Sequence, residues 1–313
     1  VFTYPLVGNY GVPEMLSGDG APSIGFESHR AWAAGVILSS ECDAPSHWTS
    51  TKNLDSWLKE QGICGISGID TRFLTQIIRE KRPVFARIEN DQTASGKVTT
   101  FFNPNVESVL PKVSIQTRTL YGAGPIRIGI LDCGVKWGIV RTLIAEGCEV
   151  ELLPWNTNLQ EVTCDGWILS NGPGAPTHEM TTLQPQLHWL LKDSRPILGI
   201  CLGHQLLALA AGASTRAMSH GHRGHNQPVV ETGSGRGFIT SQNHGYEVIE
   251  KTLPADWKVW FRNANDHSVE GISHKSRPYK GVQFHPEASG GPQDAVWILK
   301  EFVLQVKRHA TPS

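Results

Sequence analysis

The chain has 313 residues, of which 39% are hydrophobic and 18% charged, and a formal net charge of −1. That length leaves room for two cores, and the composition is that of a folded chain, not a disordered one. The balanced charge excludes the basic footprint of a nucleic-acid or anionic-membrane binder, and no apolar run approaches the roughly 20 residues of a membrane span.

The opening stretch VFTYPLVGNYG lacks the basic and apolar segments of a secretory signal. The six cysteines, Cys42, Cys64, Cys133, Cys148, Cys164 and Cys201, form no C-x-x-C pair and no disulfide framework. Both observations predict a reducing, cytoplasmic location.

AAGVILSSE predicts the first strand. STKNLDSWLKEQG predicts a helix with Leu54, Trp57 and Leu58 on one face and Gly62 as its C-terminal cap. GIDTRFLTQIIREKRP predicts a second helix, capped by Asp70, apolar at Leu74, Ile77 and Ile78, and closed by Pro83. PVFARIE predicts another strand. The stretch from Phe101 to Pro125 scatters Pro, Gly and Ser and predicts a linker, with the boundary near 120. The expected domains are therefore 1–120 and 121–313.

From Ile126 the rhythm changes. IRIGIL, EVELLPW, GWILS and PILGI are buried-strand runs that alternate with the helical stretches KWGIVRTLIAEG, LQPQLHWLLKD and LGHQLLALAAGA. That alternation predicts an α/β fold, a doubly wound and mostly parallel sheet with helices on both faces, preceded by a smaller α/β domain. After about 226 the pattern turns strand-rich. The last helix, QDAVWILKEFVLQVKR, is expected to bury Val296, Leu299, Phe302, Val303 and Val306.

The chemistry begins at Gly199-Ile200-Cys201-Leu202-Gly203, a cysteine counterpart of the G-x-S-x-G nucleophile elbow, between a strand and a helix. A sharp turn there needs residues without bulk on both sides. It lifts the sulfur to the carboxyl end of the sheet, where doubly wound folds bind ligands. The helix N-terminus favours thiolate and offers N–H groups to a developing oxyanion. The other five cysteines are expected to be buried and structural. A cysteine nucleophile needs a base. His285 ends the apolar run GVQF, and Glu287 follows two residues later, on the same side of an extended chain; a carboxylate in that position orients an imidazole. In SNGPG, Gly172 and Gly174 follow a strand, but Pro173 supplies no donor, so a tight loop over a substrate fits better than a phosphate cradle. His220, His222 and His225 tempt a metal assignment, but no carboxylate or cysteine partner lies nearby in the sequence. A polar loop and no metal are expected.

Together these motifs resemble the class I, triad-type glutamine amidotransferases, and more closely the small, glutaminase subunit or domain of carbamoyl phosphate synthetases. GICLGHQ, SNGPG and FHPE carry the general resemblance. TYPLVGNYG, GISGIDTRFLTQIIRE, ILDCGVKWGIVRTL, HRGHNQPV and TSQNHGY carry the closer one. The resemblance implies a flavodoxin-like amidotransferase domain that hydrolyses glutamine to glutamate and ammonia, with Cys201 as nucleophile, His285 as base and Glu287 orienting it. It implies oxyanion donors at Gly172 and Leu202, and a glutamine site lined by Gly174, Gln205, Asn243, Gly245 and Tyr246. Family members often carry Phe where Tyr246 stands. The implied partner is a synthetase large subunit or fused synthetase domain, which uses bicarbonate and ATP; no metal or organic cofactor is implied for this chain. The family's N-terminal region begins before TYPLVGNYG and supplies a serine contact to glutamine, so the smaller domain is expected to be incomplete. A non-catalytic docking or regulatory module for a synthetase is the alternative reading, and a γ-glutamyl peptidase on the same fold a third.

Overall fold

The computed structural model describes residues 1–16, 20–81, 84–89 and 100–310. It divides into two compact units, Val1–Ser17 with Ser23–Phe102, and Gly18–Pro22 with Asn103–Ser313.

The smaller unit holds β1 (Leu6–Val7), β2 (Gly35–Ile37), β3 (Ser40–Glu41), α1 (Leu54–Glu60), β4 (Cys64–Ile66) and α2 (Thr71–Glu80). Its strands pair in parallel, β1 with β3 and β2 with β4. Both helices start where a side chain satisfies an orphan donor. Asn53 Oδ1 accepts the Ser56 N–H at 2.9 Å, and Asp70 Oδ1 accepts the Phe73 N–H at 2.9 Å. Gly62, at φ +66°, takes the left-handed turn after α1. Val36, Leu38, Leu58 and Ile63 form a small core, with Leu54 and Trp57 packed against it. The expected strand AAGVILSSE is two short strands. PVFARIE is not a strand: residues 84–89 pair with no ladder among the described residues, and Ile88 instead packs over Gly35, where a Cβ would come within 2.9 Å of its Cδ1. Pro83, expected to close α2, lies outside the described residues.

In the larger unit the elements are α3 (Leu110–Val113), β5 (Thr119–Tyr121), β6 (Ile126–Asp132), α4 (Trp137–Ala145), β7 (Cys148–Pro154), β8 (Gly166–Leu169), α5 (Pro176–Leu190), β9 (Ile197–Ile200), α6 (Leu202–Ala210), β10 (Thr215–Glu231), β11 (Gly237–Val248), β12 (Trp257–Asn263), β13 (Val269–His274), β14 (Tyr279–Val282) and α7 (Trp297–Ala310). One ten-stranded sheet runs in the order β11-β10-β12-β13-β14-β9-β8-β6-β7-β5. Its centre, β14-β9-β8-β6-β7, is parallel. β5 adds antiparallel at one edge, and β10 to β13 continue antiparallel at the other.

Strand alternation sends side chains to two apolar layers. Ile128, Ile130, Val150, Leu152, Leu198 and Ile200 face α4 and α7, while Leu131, Leu153, Trp167, Leu169 and Ile197 face α5 and α6. Each such aliphatic, fully buried, contributes about 1.5–3 kcal/mol. Several boundaries differ from expectation. The segment read as a linker contains α3 and β5, and Asn103 onward belongs to the larger unit. α5 begins at Pro176, before LQPQLHWLLKD: proline suits the first helical position, and Glu179 in the first turn accepts Ser108 Oγ at 2.6 Å and the Val109 N–H at 3.0 Å. Strand-rich structure begins at Thr215, not at about 226. Val296 precedes α7 and is only half-buried; Ile298 takes its place in the core.

Candidate active site

Four adjacent parallel strands, β6, β8, β9 and β14, end side by side. The residues just beyond their carboxyl ends are Cys133 to Lys136, Ser170 to Gly174, Cys201, and Gln283 to Glu287. Sheet order thus gathers segments that lie far apart in sequence, which is how doubly wound folds build their sites.

At the elbow Cys201 has φ 53° and ψ −104°, a conformation that non-glycine residues rarely adopt. The fold holds it there. Its N–H donates to Val282 O at 2.8 Å, and its carbonyl accepts the Gln205 N–H at 3.2 Å. The flanking glycines have direct steric reasons. A Cβ on Gly199 would stand 2.6 Å from Gly203 O, and one on Gly203 would stand 2.0 Å from Leu169 O. Neither backbone can yield without opening the contact of α6 with β9 in the first case and with β8 in the second. Gly203→Ala is therefore expected to destabilise the chain by on the order of 3 kcal/mol or more, read as a lower denaturant midpoint at an unchanged slope. An unchanged midpoint would refute the packing argument.

His285 and Glu287 follow β14. The His285 Nδ1–H donates to Glu287 Oε1 at 2.7 Å, which leaves Nε2 for the Cys201 sulfur. Burial opposes charge on His285, but Glu287 and Cys201 overcome it and bring the imidazolium to a pKa of about 10. Burial likewise opposes charge on Glu287; His285 and then Lys136 hold it ionised, at about 2. The Lys136 ammonium lies 3.0 Å from Glu287 Oε1. The His285 N–H donates to Ser241 O at 2.9 Å, tying this segment to β11.

Gln205, one turn into α6, is buried. Its amide donates to Tyr246 O at 3.0 Å and to Gln283 Oε1 at 2.8 Å, and Gln283 Nε2 donates to Cys201 Sγ at 3.7 Å. Gln205 and Cys201 are thus linked through Gln283. Gly172 follows β8 so tightly that a Cβ there would stand 1.9 Å from Cys133 O; Gly174 has φ +104°, with Glu179 packed beneath it. Leu202 opens α6 beside the sulfur. Asn243, exposed, and Gly245 and Tyr246, half-buried, lie along β11. The Tyr246 hydroxyl donates to Asn105 Oδ1 at 2.8 Å.

Sequence reasoning missed Lys136, Asn171 and Gln283. Asn171 Oδ1 accepts the Lys136 N–H at 3.1 Å, and its Nδ2 donates to Gly134 O at 3.0 Å, which stitches the loops after β8 and β6 together. The available signal was position: each falls one to four residues beyond a central strand. Cys133, Cys148 and Cys164 are buried, and burial pushes their thiols up, Cys164 to about 12. The expectation of five buried structural cysteines fails for Cys42, half-buried, and Cys64, exposed. The histidine-rich segment is not a loop. It lies in β10, and the sheet brings His222 to His244 and Glu270.

An elbow thiol, an imidazole and a carboxylate at the strand ends of a doubly wound sheet define the class I glutamine amidotransferases. The model of that class, "Glutamine amidotransferase class-I", matches residues 129–305, and that of the "Carbamoyl-phosphate synthase small chain, CPSase domain" matches residues 1–88. The chain is 40% identical to the carbamoyl phosphate synthase arginine-specific small chain of Schizosaccharomyces pombe, over 99% of this chain and 76% of that one. It is 42% identical to the multifunctional protein CAD of Squalus acanthias, over 97% of this chain and 14% of that one. Among solved structures, a putative GMP synthase component from Thermoplasma acidophilum superposes with a TM-score of 0.53 at 29% identity, over 59% of this chain and 96% of that one. The chain belongs to the family of carbamoyl-phosphate synthase small chains, the glutaminase components of those enzymes.

Proposed function

We propose that Cys201, His285 and Glu287 carry out the hydrolysis of glutamine that supplies ammonia for carbamoyl phosphate synthesis. The observation that carries this assignment is the strained, glycine-flanked Cys201 beside a His285 whose other nitrogen is anchored on Glu287. The thiolate attacks the side-chain amide carbon of glutamine. Negative charge develops on the amide oxygen, and the backbone N–H groups of Gly172 and Leu202 receive it. The imidazolium of His285 gives its proton to the departing nitrogen, and ammonia leaves a glutamyl thioester. His285, now neutral, takes a proton from water, which attacks the thioester and releases glutamate. Glu287 and Lys136 stay paired and keep the ring oriented.

Gly174, Gln205, Asn243, Gly245 and Tyr246 bind the glutamine. Gln205 supports this reading because it is buried, one turn from the sulfur, and hydrogen-bonded to Tyr246. The synthetase partner, a large chain or a fused domain, receives the ammonia and holds the ATP and bicarbonate chemistry, and the chain needs no cofactor for the glutaminase step. Among the described residues no helix is long and apolar enough to cross a membrane. The six unpaired cysteines support a reducing compartment, the cytoplasm. The test is glutamate release from glutamine, with and without a carbamoyl phosphate synthetase large chain. Turnover that rises with the partner is expected. A folded chain silent in both assays would leave only a docking role.

A further inference from the structure

On the face of β11 opposite Asn243 and Gly245, four acceptor atoms face one another. His222 Nδ1 lies 3.1 Å from His244 Nε2 and 3.1 Å from Glu270 Oε1, and the last two are 3.7 Å apart. Gln242 Oε1 lies 3.1 Å from His244 Nε2. Their outer partners fix which atoms carry protons. His244 Nδ1 is 2.9 Å from Tyr246 O and must donate to it, which leaves Nε2 with a lone pair in the neutral ring. His222 Nε2 donates to Asp266 Oδ2 at 2.9 Å, leaving Nδ1 likewise. Asn263, whose Oδ1 accepts the Asn265 N–H at 2.9 Å, brings its NH2 group to 3.4 Å from His222 Nδ1, a long contact that a bound ion displaces. Gln242 Nε2 donates to Glu270 Oε2 at 3.0 Å, which turns Gln242 Oε1 and Glu270 Oε1 inward. Lone pairs converging where Gln242, His244 and Glu270 are buried and His222 is half-buried favour a positive charge between them.

We propose that His222, His244 and Glu270 bind one divalent cation of the zinc class, with Gln242 Oε1 as the fourth donor. Spacings of 3.1–3.7 Å match the edge of about 3.3 Å in a tetrahedron with metal–nitrogen bonds of 2.0–2.1 Å. Two imidazoles and a carboxylate suit zinc better than magnesium or calcium. Each ligand's far atom is held by Asp266, Tyr246 or Gln242, as metal-bound histidines and carboxylates are. The ion ties β10, β11 and β13 together directly behind Asn243 and Gly245. Its role is to fix that strand; it does not touch the reacting atoms. The competing occupant is a proton on His222: burial opposes it, but Glu270 and Asp266 outweigh burial and raise the pKa of that imidazole to about 9.

Cobalt(II) distinguishes the two. The full chain carrying Cys201→Ser, to remove the active-site thiol, is stripped with chelator and titrated with cobalt. One equivalent is expected to saturate, giving the intense visible bands of tetrahedral cobalt and no sulfur charge-transfer band. Zinc should displace it and raise the unfolding temperature. Glu270→Gln and His222→Asn should each weaken binding at least about 100-fold. Should one variant fail to fold, the other and the parent titration decide. The absence of saturable binding, a thiolate band, or undiminished affinity in the folded variants overturns the site in favour of a proton.

Discussion

Replacing Cys201 with serine is expected to lower kcat for glutamine hydrolysis by at least about 10^4-fold while leaving the fold intact. The sulfur is nearly buried and faces an imidazole that holds its proton up to a pKa of about 10. A sulfur in that setting is intrinsically a much stronger nucleophile than a serine hydroxyl. Stability should change little, because serine is close in volume and the Cys201 backbone bonds to Val282 and Gln205 remain. Glutamate release measures the first effect, and circular dichroism with a thermal midpoint checks the second. Activity within tenfold of the parent, in folded protein, would remove Cys201 as the nucleophile.

The second large effect concerns Glu287→Gln. Removing the carboxylate takes away the strongest support for the imidazolium, while burial still opposes charge. The pKa of His285 therefore falls from about 10 toward or below its ordinary 6.5. At pH 8 a group with that ordinary value is protonated in about one molecule in thirty. The expected loss in kcat is about thirtyfold or more at pH 8 and smaller at pH 6, so the alkaline limb of the kcat profile moves to lower pH. A profile that drops without shifting would show that Glu287 only packs. Stability follows the same pair in the parent chain. The His285 contribution is full below pH 6.5 and fades as pH rises through about 10; that of Glu287 is full above pH 4.5 and fades as pH falls through about 2. The variant should lose both windows.

Much of the site was legible because its residues obey local rules. The glycines around Cys201 are set by contacts with backbone atoms that no side chain could replace. His285 and Glu287 are neighbours on one extended segment, so their pairing needs no knowledge of the fold. Lys136 was not legible. It reaches Glu287 only because β6 and β14 lie in one sheet, and a lysine after a strand looks like any other. The fold divides in the same way. The apolar strands β6, β7, β8 and β9 announce themselves, but β10 does not. Its Gly- and His-rich sequence has no period-two pattern, and it is a strand through pairing with β11, with bulges at Ala217/His222 and Gly224/Gln227. For the same reason the carboxylate partner of His222 was invisible: Glu270 arrives on β13. PVFARIE fails in the opposite sense: it has a strand-like composition, but its residues 84–89 pair with no strand among the described residues.

The side-by-side ending of β6, β8, β9 and β14 also bears on biosynthesis. A chain emerging from the ribosome completes the elbow well before it contains β14, and contacts across the sheet form late because they close long loops. Until β14 docks on β9, the thiol has neither its proton partner nor the Gln283 contact. A chain that ends before β14 therefore lacks His285 and Glu287, and the onset of hydrolysis during refolding is expected to follow the docking of β14 on β9.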